Sequence, residues 1–220
     1  CLDCGIKAVE KVAYARNKDV DFIICDHHRP GDTLPLAVAV LDPKRSDCDY
    51  PFKELCGCGV GFKLAQAYHQ QYNLPFEDLV PLLDLVVVSI AADIVPMIDE
   101  NRVLSFYGLQ QLNTSPRIGL KALMDVASRK NSFSITDVVF SLAPRINAAG
   151  RIEHGNKAVE LLVQQDFSIA KEKADYIDNH NFSRKELDKS ITREALAMIV
   201  QGANSTVVCN EKWHKGVVGI

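Results

Sequence analysis

Three consecutive residues, Asp26-His27-His28, close the apolar run Phe22-Ile23-Ile24-Cys25. A carboxylate and two imidazoles are costly to desolvate unless they are paired or hold something. Together they form a ligand set for a divalent metal. The plainer alternative is a histidine pair in a solvated turn. The run before them is β-branched and aromatic, preceded by Asp19 and Asp21 and followed by the breaker group Arg29-Pro30-Gly31-Asp32. It therefore reads as a buried strand ending at the triplet. In open α/β sheets ligands bind at that carboxyl edge.

The elements that must position the triplet alternate. Cys1-Leu2 reads as the tail of a strand ending in Asp3, a helix follows over about Ile6 to Lys18, and the strand Phe22 to Cys25 comes next. Parallel strands of such a βαβ unit bring Asp3 and Asp26 to one sheet edge. Leu36 to Leu41 predicts a third strand, ended by Asp42-Pro43. Helices are expected over about Gly59 to Tyr72, Phe76 to Ala92, Arg102 to Leu112, Pro116 to Ser128, and Ser134 to Leu142, with Ser134 or Thr136 as N-cap. Asp93 falls where the helix through Val86, Val87 and Val88 runs into Pro96, because the residue before a proline leaves helical geometry. There it is either a solvated cap or a ligand reaching into a site. Ser168 to Val200 has almost no breaker, which predicts a helix or helix pair on the order of 50 Å long, a connector. Ser205 to Cys209 then reads as the first strand of another domain.

Composition narrows the class. With 220 residues and 47% hydrophobic content the chain can bury one good core and begin a second. No apolar run has membrane-spanning length; the stretch Leu79 to Val95 is broken by Pro81, Asp84 and Asp93, so a core helix is expected. A formal charge of −3 supplies no global basic field for nucleic acid, so any phosphate contact must be local. Seven cysteines is an odd count, and Cys25 and Cys209 lie in strand-like runs, which suggests reduced thiols in a cytoplasmic protein. Cys1-x-x-Cys4 with Cys56-x-Cys58 does not match paired zinc knuckles, and Cys4 and Cys25 are placed like small core residues. The chain opens without Met on a strand tail and stops inside an element at Gly216-Val217-Val218-Gly219-Ile220. It is expected to be part of something longer.

Five segments then appear in order: Leu2-Asp3-Cys4-Gly5, Cys25-Asp26-His27-His28, Ala92-Asp93-Ile94-Val95-Pro96, Pro144-Arg145-Ile146-Asn147-Ala148-Ala149-Gly150-Arg151, and Trp213-His214-Lys215-Gly216-Val217-Val218-Gly219-Ile220. In this order they resemble the signatures of the DHH phosphoesterases, most closely those of the bacterial single-strand-specific exonuclease type. The resemblance implies that Asp3, His27 and Asp93 are metal ligands, Asp3 bridging two ions. It implies that Asp26 orients the neighbouring imidazole, that His28 faces the scissile phosphate, and that Arg145, Asn147 and Arg151 meet nucleic-acid phosphate. Trp213 and His214 would belong to a DHH-associated domain that helps bind the strand. The family's first motif, an Asp-x-Asp pair, is absent from these residues.

The same resemblance implies an α/β fold: a parallel-sheet catalytic domain over 1–166, a connecting helix over 167–203 and the start of a second α/β domain over 204–220. The implied activity is two-metal hydrolysis of single-stranded DNA from the 5′ end in repair and recombination, with Mn²⁺ or Mg²⁺, two ions in the intact parent. The implied setting is cytoplasmic, without a membrane, alongside a single-strand-binding protein and a helicase. The 220 residues alone are expected to be inactive. Oxygen ligands with one or two imidazoles suit these ions better than a thiolate set. Arg145 suits bidentate phosphate contact, its alternative being a cap on the preceding helix's carbonyls. His69, His154 and His180 are expected at the surface, and Asp42 and Asp84 as caps or solvated groups. Two other readings stay open: a DHH phosphoesterase of short oligonucleotides or cyclic dinucleotides, and a non-catalytic DHH-like replication scaffold.

Overall fold

The computed structural model describes residues 1–127, 132–152, 154–199, 202 and 205–218. They form two compact units, residues 1–117 with 131–143, and residues 118–130 with 144–220.

The first unit holds a small parallel sheet. β1 (Ile23–Cys25) pairs in register with β2 (Ala39–Leu41), Ile23 opposite Ala39 and Cys25 opposite Leu41. Leu2 adds a parallel bridge to Cys25 on the other side of β1, tied by Asp3 N–H to Cys25 O at 2.8 Å and Cys25 N–H to Cys1 O at 2.9 Å. α1 (Val9–Arg16) is the crossover between them, so the predicted βαβ order holds. α2 (Gly57–Gln71), a 3₁₀ segment (Phe76–Leu82), α3 (Leu83–Asp93) and α4 (Asp99–Thr114) follow. α3 is apolar almost all round and is buried accordingly, with Val86, Val87, Val88 and Ile90 in the interior. Cys25, Leu55, Val60, Phe62 and Leu104 pack with it in one core, so the sheet edge and the end of α3 stand on a common support. The unit is completed by α6 (Ile135–Asp137), closed by a capping box between Ser134 and Asp137, and a π-helical turn (Val138–Leu142).

The second unit contains α5 (Ile118–Val126), α7 (Ala143–Ile152), α8 (Asn156–Leu162), α9 (Phe167–Ala197) and α10 (Lys215–Val218). α9 is the predicted long helix, 31 residues, started by Asp166, whose carboxylate accepts the N–H groups of Ser168 and Ile169. Ala170, Ala174, Ile177, Asn181 and Arg184 recur at alternating spacings of four and three and bury one stripe against α5 and α8. Among the described residues no helix is long and apolar enough to cross a membrane.

Several expectations are corrected. Leu36 to Val38 does not join β2; Leu36 and Val38 are exposed. The single helix expected over Phe76 to Ala92 breaks after Leu82, because Pro81 lacks an N–H and the first part winds as 3₁₀. Ser205 to Cys209 is not a strand: Val207 is exposed and the segment pairs with no strand among the described residues. Asp42 and Asp84 are not solvated. Asp84 is 1% exposed, bound by the Arg117 guanidinium and backbone N–H, while Asp42 is buried and accepts the Lys44 N–H. Cys4 is exposed rather than a core residue. Ser128, Val200, Asn204, Gly219 and Ile220, on which parts of the expected helices, the last domain boundary and the last motif fall, lie outside the described residues.

Candidate metal centre

Asp3 and the triplet reach one sheet edge because their strands are parallel neighbours and end together. His27 is buried, and its Nε2 lies 3.1 Å from Asp3 Oδ1 and 3.9 Å from Asp93 Oδ2. Ligand atoms of Asp3, His27 and His28 fall within 4.8 Å of one another. Two carboxylates, one from the Leu2 strand end and one from the end of α3, thus converge on an imidazole nitrogen carried by the end of β1. His27 Nδ1 is buried with no hydrogen-bond partner among the described residues, so the ring is held by packing and by what its Nε2 meets.

The three aspartates differ in their surroundings. Asp26, 1% exposed, has both oxygens committed: Oδ2 accepts the Ile6 N–H at 2.8 Å, and Oδ1 accepts the N–H groups of His27 and His28 and lies 2.8 Å from His28 Nδ1. Burial by itself would raise its pKa; the hydrogen bonds from Ile6, His28 and His27 outweigh burial and hold the carboxyl below its usual range. It is therefore an anion that fixes the His28 ring. With Nδ1–H turned to Asp26, the half-exposed His28 presents Nε2 outward.

Asp93 is the last residue of α3 before Ile94, a helix cap in the left-handed region at φ 52°. A carboxylate there opposes the helix dipole, so Asp93 does not serve as a cap. Burial, and then the charge of Asp3, push its pKa up; Ser89 Oγ is its hydrogen-bond donor at 3.4 Å. Asp3 sits at φ 63°, a backbone region Asp tolerates better than most residues. Its side chain lies over the first residue of α2. A Cβ on Gly57 would stand 2.0 Å from Asp3 Oδ1, and one on Gly61 would stand 2.6 Å from Leu2 Cδ1. Glycine at these positions lets the start of α2 close on the Leu2–Asp3 bridge, where the positive end of the helix dipole favours the carboxylate. Gly57 and Ser89 were not among the residues singled out from sequence. The Gly57-x-Gly59-x-Gly61 spacing was the available signal for the first.

The segment around Arg145 is α7, in the other unit. Arg145 is largely buried, and its Nε lies 2.8 Å from Asp178 Oδ1 of α9. Asn147 and Arg151 are exposed four residues apart, hence on one face of α7. Trp213 Nε1 donates to Glu194 Oε2 at 2.9 Å, and His214 Nδ1 accepts the Gly216 N–H at 3.2 Å. Of the cysteines, Cys25 and Cys56 are buried, and Cys56 Sγ caps α2 by accepting the Gly59 N–H. His69 and His180 are partly buried, and His154 is exposed.

Residues 1–90 match the DHH family, N-terminal domain. The chain is 43% identical over its whole length to the single-stranded-DNA-specific exonuclease RecJ of Bacillus subtilis (strain 168), covering 28% of that protein. It is 35% identical to RecJ of Escherichia coli (strain K12), again over its whole length, covering 41%. A crystal structure of RecJ from Thermus thermophilus in complex with Mn²⁺ superposes over 99% of the chain with a TM-score of 0.89 at 31% identity, covering 33% of that molecule. The chain thus spans between about a quarter and two fifths of the length of these relatives.

Proposed function

We propose that the chain, whose residues 1–90 match the DHH family and which is similar to RecJ over its whole length, is a member of that family and the catalytic part of a metal-dependent phosphodiesterase removing nucleotides from the 5′ end of single-stranded DNA. The observation that carries the reading is the convergence of Asp3 and Asp93 on His27 Nε2. The donor set fits Mn²⁺ or Mg²⁺: two carboxylates, one of them destabilised by burial and by the other's charge, face an imidazole. Among the described residues no ion pair joins either carboxylate to a lysine or arginine. A divalent cation held by Asp3, His27 and Asp93 would relieve that repulsion. When bound, such an ion activates a water and neutralises the non-bridging oxygens of a phosphodiester.

The chain's own residues do the rest. Asp26 keeps His28 in the tautomer with its proton on Nδ1, so that Nε2 is ready to accept a hydrogen bond or, protonated, to donate one to the phosphate. Backbone contacts hold Asp26 itself, so His28 needs no reorganisation when substrate arrives. Asn147 and Arg151 offer an exposed polar face of α7, and Arg145 a guanidinium, for phosphates along the strand. In this reading residues 1–166 are catalytic, 167–203 connect, and 204–220 open a second domain with Trp213 and His214 toward the strand. The work is done in the cytoplasm, which suits seven free thiols, in DNA repair and recombination beside a single-strand-binding protein and a helicase. The ligands here suffice for one ion; two-ion chemistry in the full-length parent requires further carboxylates.

The test is release of mononucleotides from 5′-phosphorylated single-stranded DNA by the full-length parent with Mn²⁺. Substituting His27→Ala or Asp93→Ala should lower kcat by about 10³-fold or more, in line with loss of metal-assisted chemistry. Wild-type turnover by either variant, or equal rates on single and double strands, would sink the proposal. The 220 residues alone are expected to bind one ion and to show no measurable turnover.

A further inference from the structure

Cys1 and Cys4 flank Asp3 in sequence and touch in space: their sulfurs are 3.3 Å apart, and Cys1 Sγ also lies 3.0 Å from Cys4 O. Both are exposed, unlike Cys25 and Cys56. The contact is built into the turn. Cys1 O is fixed by Cys25 N–H and Asp3 N–H by Cys25 O, so the Cys1–Asp3 backbone is anchored on β1. Gly5 follows at φ 113°, where a Cβ would stand 3.1 Å from Cys1 Sγ; the glycine leaves that space to the sulfur. A disulfide needs sulfurs at about 2.05 Å, so closure asks for an approach of roughly 1.3 Å within one short turn.

We propose that Cys1 and Cys4 form a reversible disulfide that switches the Asp3 metal site off. The oxidant is a hydroperoxide. One thiolate attacks the peroxide, an S–O bond forms, the O–O bond breaks, and hydroxide leaves and is protonated to water. The second thiol then attacks the sulfenic sulfur; the S–S bond forms, the S–O bond breaks, and a second water leaves. Two thiols lose two electrons and two protons, and hydrogen peroxide becomes two waters. The ring so closed contains Asp3. Because the Cys1–Asp3 backbone is anchored on β1 up to the Asp3 N–H, closure draws Cys4 and the Asp3–Cys4 peptide toward Cys1, which turns Asp3 about its anchored N–H and takes its carboxylate from its place 3.1 Å from His27 Nε2. The consequence for metal rests on the ligand assignment proposed above; disulfide formation does not.

The experiment treats the full-length parent with hydrogen peroxide, maps the Cys1–Cys4 peptide by mass, and titrates Mn²⁺ by calorimetry before oxidation, after it, and after dithiothreitol. The expected result is a loss of two hydrogens in that peptide, a fall in Mn²⁺ affinity of at least tenfold, and full recovery on reduction. Cys4→Ser should bind Mn²⁺ like the wild type and ignore peroxide. Free Cys1 and Cys4 thiols after oxidation overturn the proposal, as does an oxidised protein that binds Mn²⁺ unchanged. Failure of the reduced wild type to bind Mn²⁺ would instead overturn the metal assignment, and the switch with it.

Discussion

The sheet edge around His27 and the helix pair around Arg145 both gather charged groups, yet they leave them in opposite conditions. At the edge, Asp3 and Asp93 crowd an imidazole with no lysine or arginine paired to either among the described residues, and burial, then the charge of Asp3, raises the Asp93 pKa. Between α7 and α9, Arg145 and Asp178 are matched at 2.8 Å. On the proposed assignment the first arrangement awaits a cation; the second is already an ion pair. A guanidinium that is to meet a nucleic-acid phosphate must keep, share or give up its carboxylate.

The largest effect should come from the edge. His27→Ala is expected to weaken Mn²⁺ binding by about 100-fold or more while leaving the melting temperature of the metal-free protein within a few degrees, since Asp3 and Asp93 no longer share a buried neighbour. Calorimetric titration with Mn²⁺ decides it, and a change under threefold would remove the contrast between the two regions. Gly57→Ala, which touches no proposed ligand chemically, should act through Asp3. Its Cβ overlaps the carboxylate, so a drop in affinity of about tenfold or more is expected. Unchanged binding would mean that Asp3 can be held elsewhere.

The helix pair should respond more mildly. Arg145→Ala is expected to weaken single-strand binding and shrink its salt dependence by about one phosphate contact. Asp178→Ala should strengthen binding a few-fold at a stability loss of about 1 kcal/mol or more, because the largely buried Arg145 loses its carboxylate. Fluorescence anisotropy across a salt series separates them; if the two substitutions weaken binding alike, the pair acts as a unit that holds α7 on α9. The smallest effect concerns Cys56, whose thiol burial pushes up to about 11. Because the folded state favours the neutral thiol, its contribution to stability is full below the unfolded thiol pKa of about 8.5 and is lost as pH rises toward about 11. Iodoacetamide at pH 8.5 should label Cys1 and Cys4 in the folded protein and spare Cys56; early labelling of Cys56 would show that the cap on α2 opens.

The parts of this contrast were unequally legible. Strand ends were readable because an apolar run followed abruptly by Asp-His-His has few other interpretations, and parallel neighbours then had to share an edge. Asp93 could be located but not interpreted, since a helix-end carboxylate looks the same whether it faces water or His27. The partners of Arg145 and Asp84 were invisible: Asp178 and Arg117 lie about thirty residues away, and which carboxylate meets which guanidinium is decided by helix packing. Val207 and Val208 suggested a strand, but a strand exists only with a partner, and propensity does not provide one. The 3₁₀ segment before α3 shows the reverse case, where Pro81 was seen and its effect underestimated.

The Leu2–Cys25 bridge also bears on the order in which the site comes into being. Asp3 and His27 are 24 positions apart, whereas His27 and Asp93 are separated by 66. Closing the longer loop costs roughly 0.9 kcal/mol more in chain entropy, and it also requires α2 and α3 to have formed and packed. Pulse-labelled hydrogen exchange during refolding should therefore protect the Asp3 and Cys25 amides before those of α3. On the ribosome the half-site of one carboxylate and one imidazole can be complete while Asp93 is still being synthesised, so under the proposed ligand assignment a weakly held cation would accompany the sheet edge before the helix end arrives to retain it.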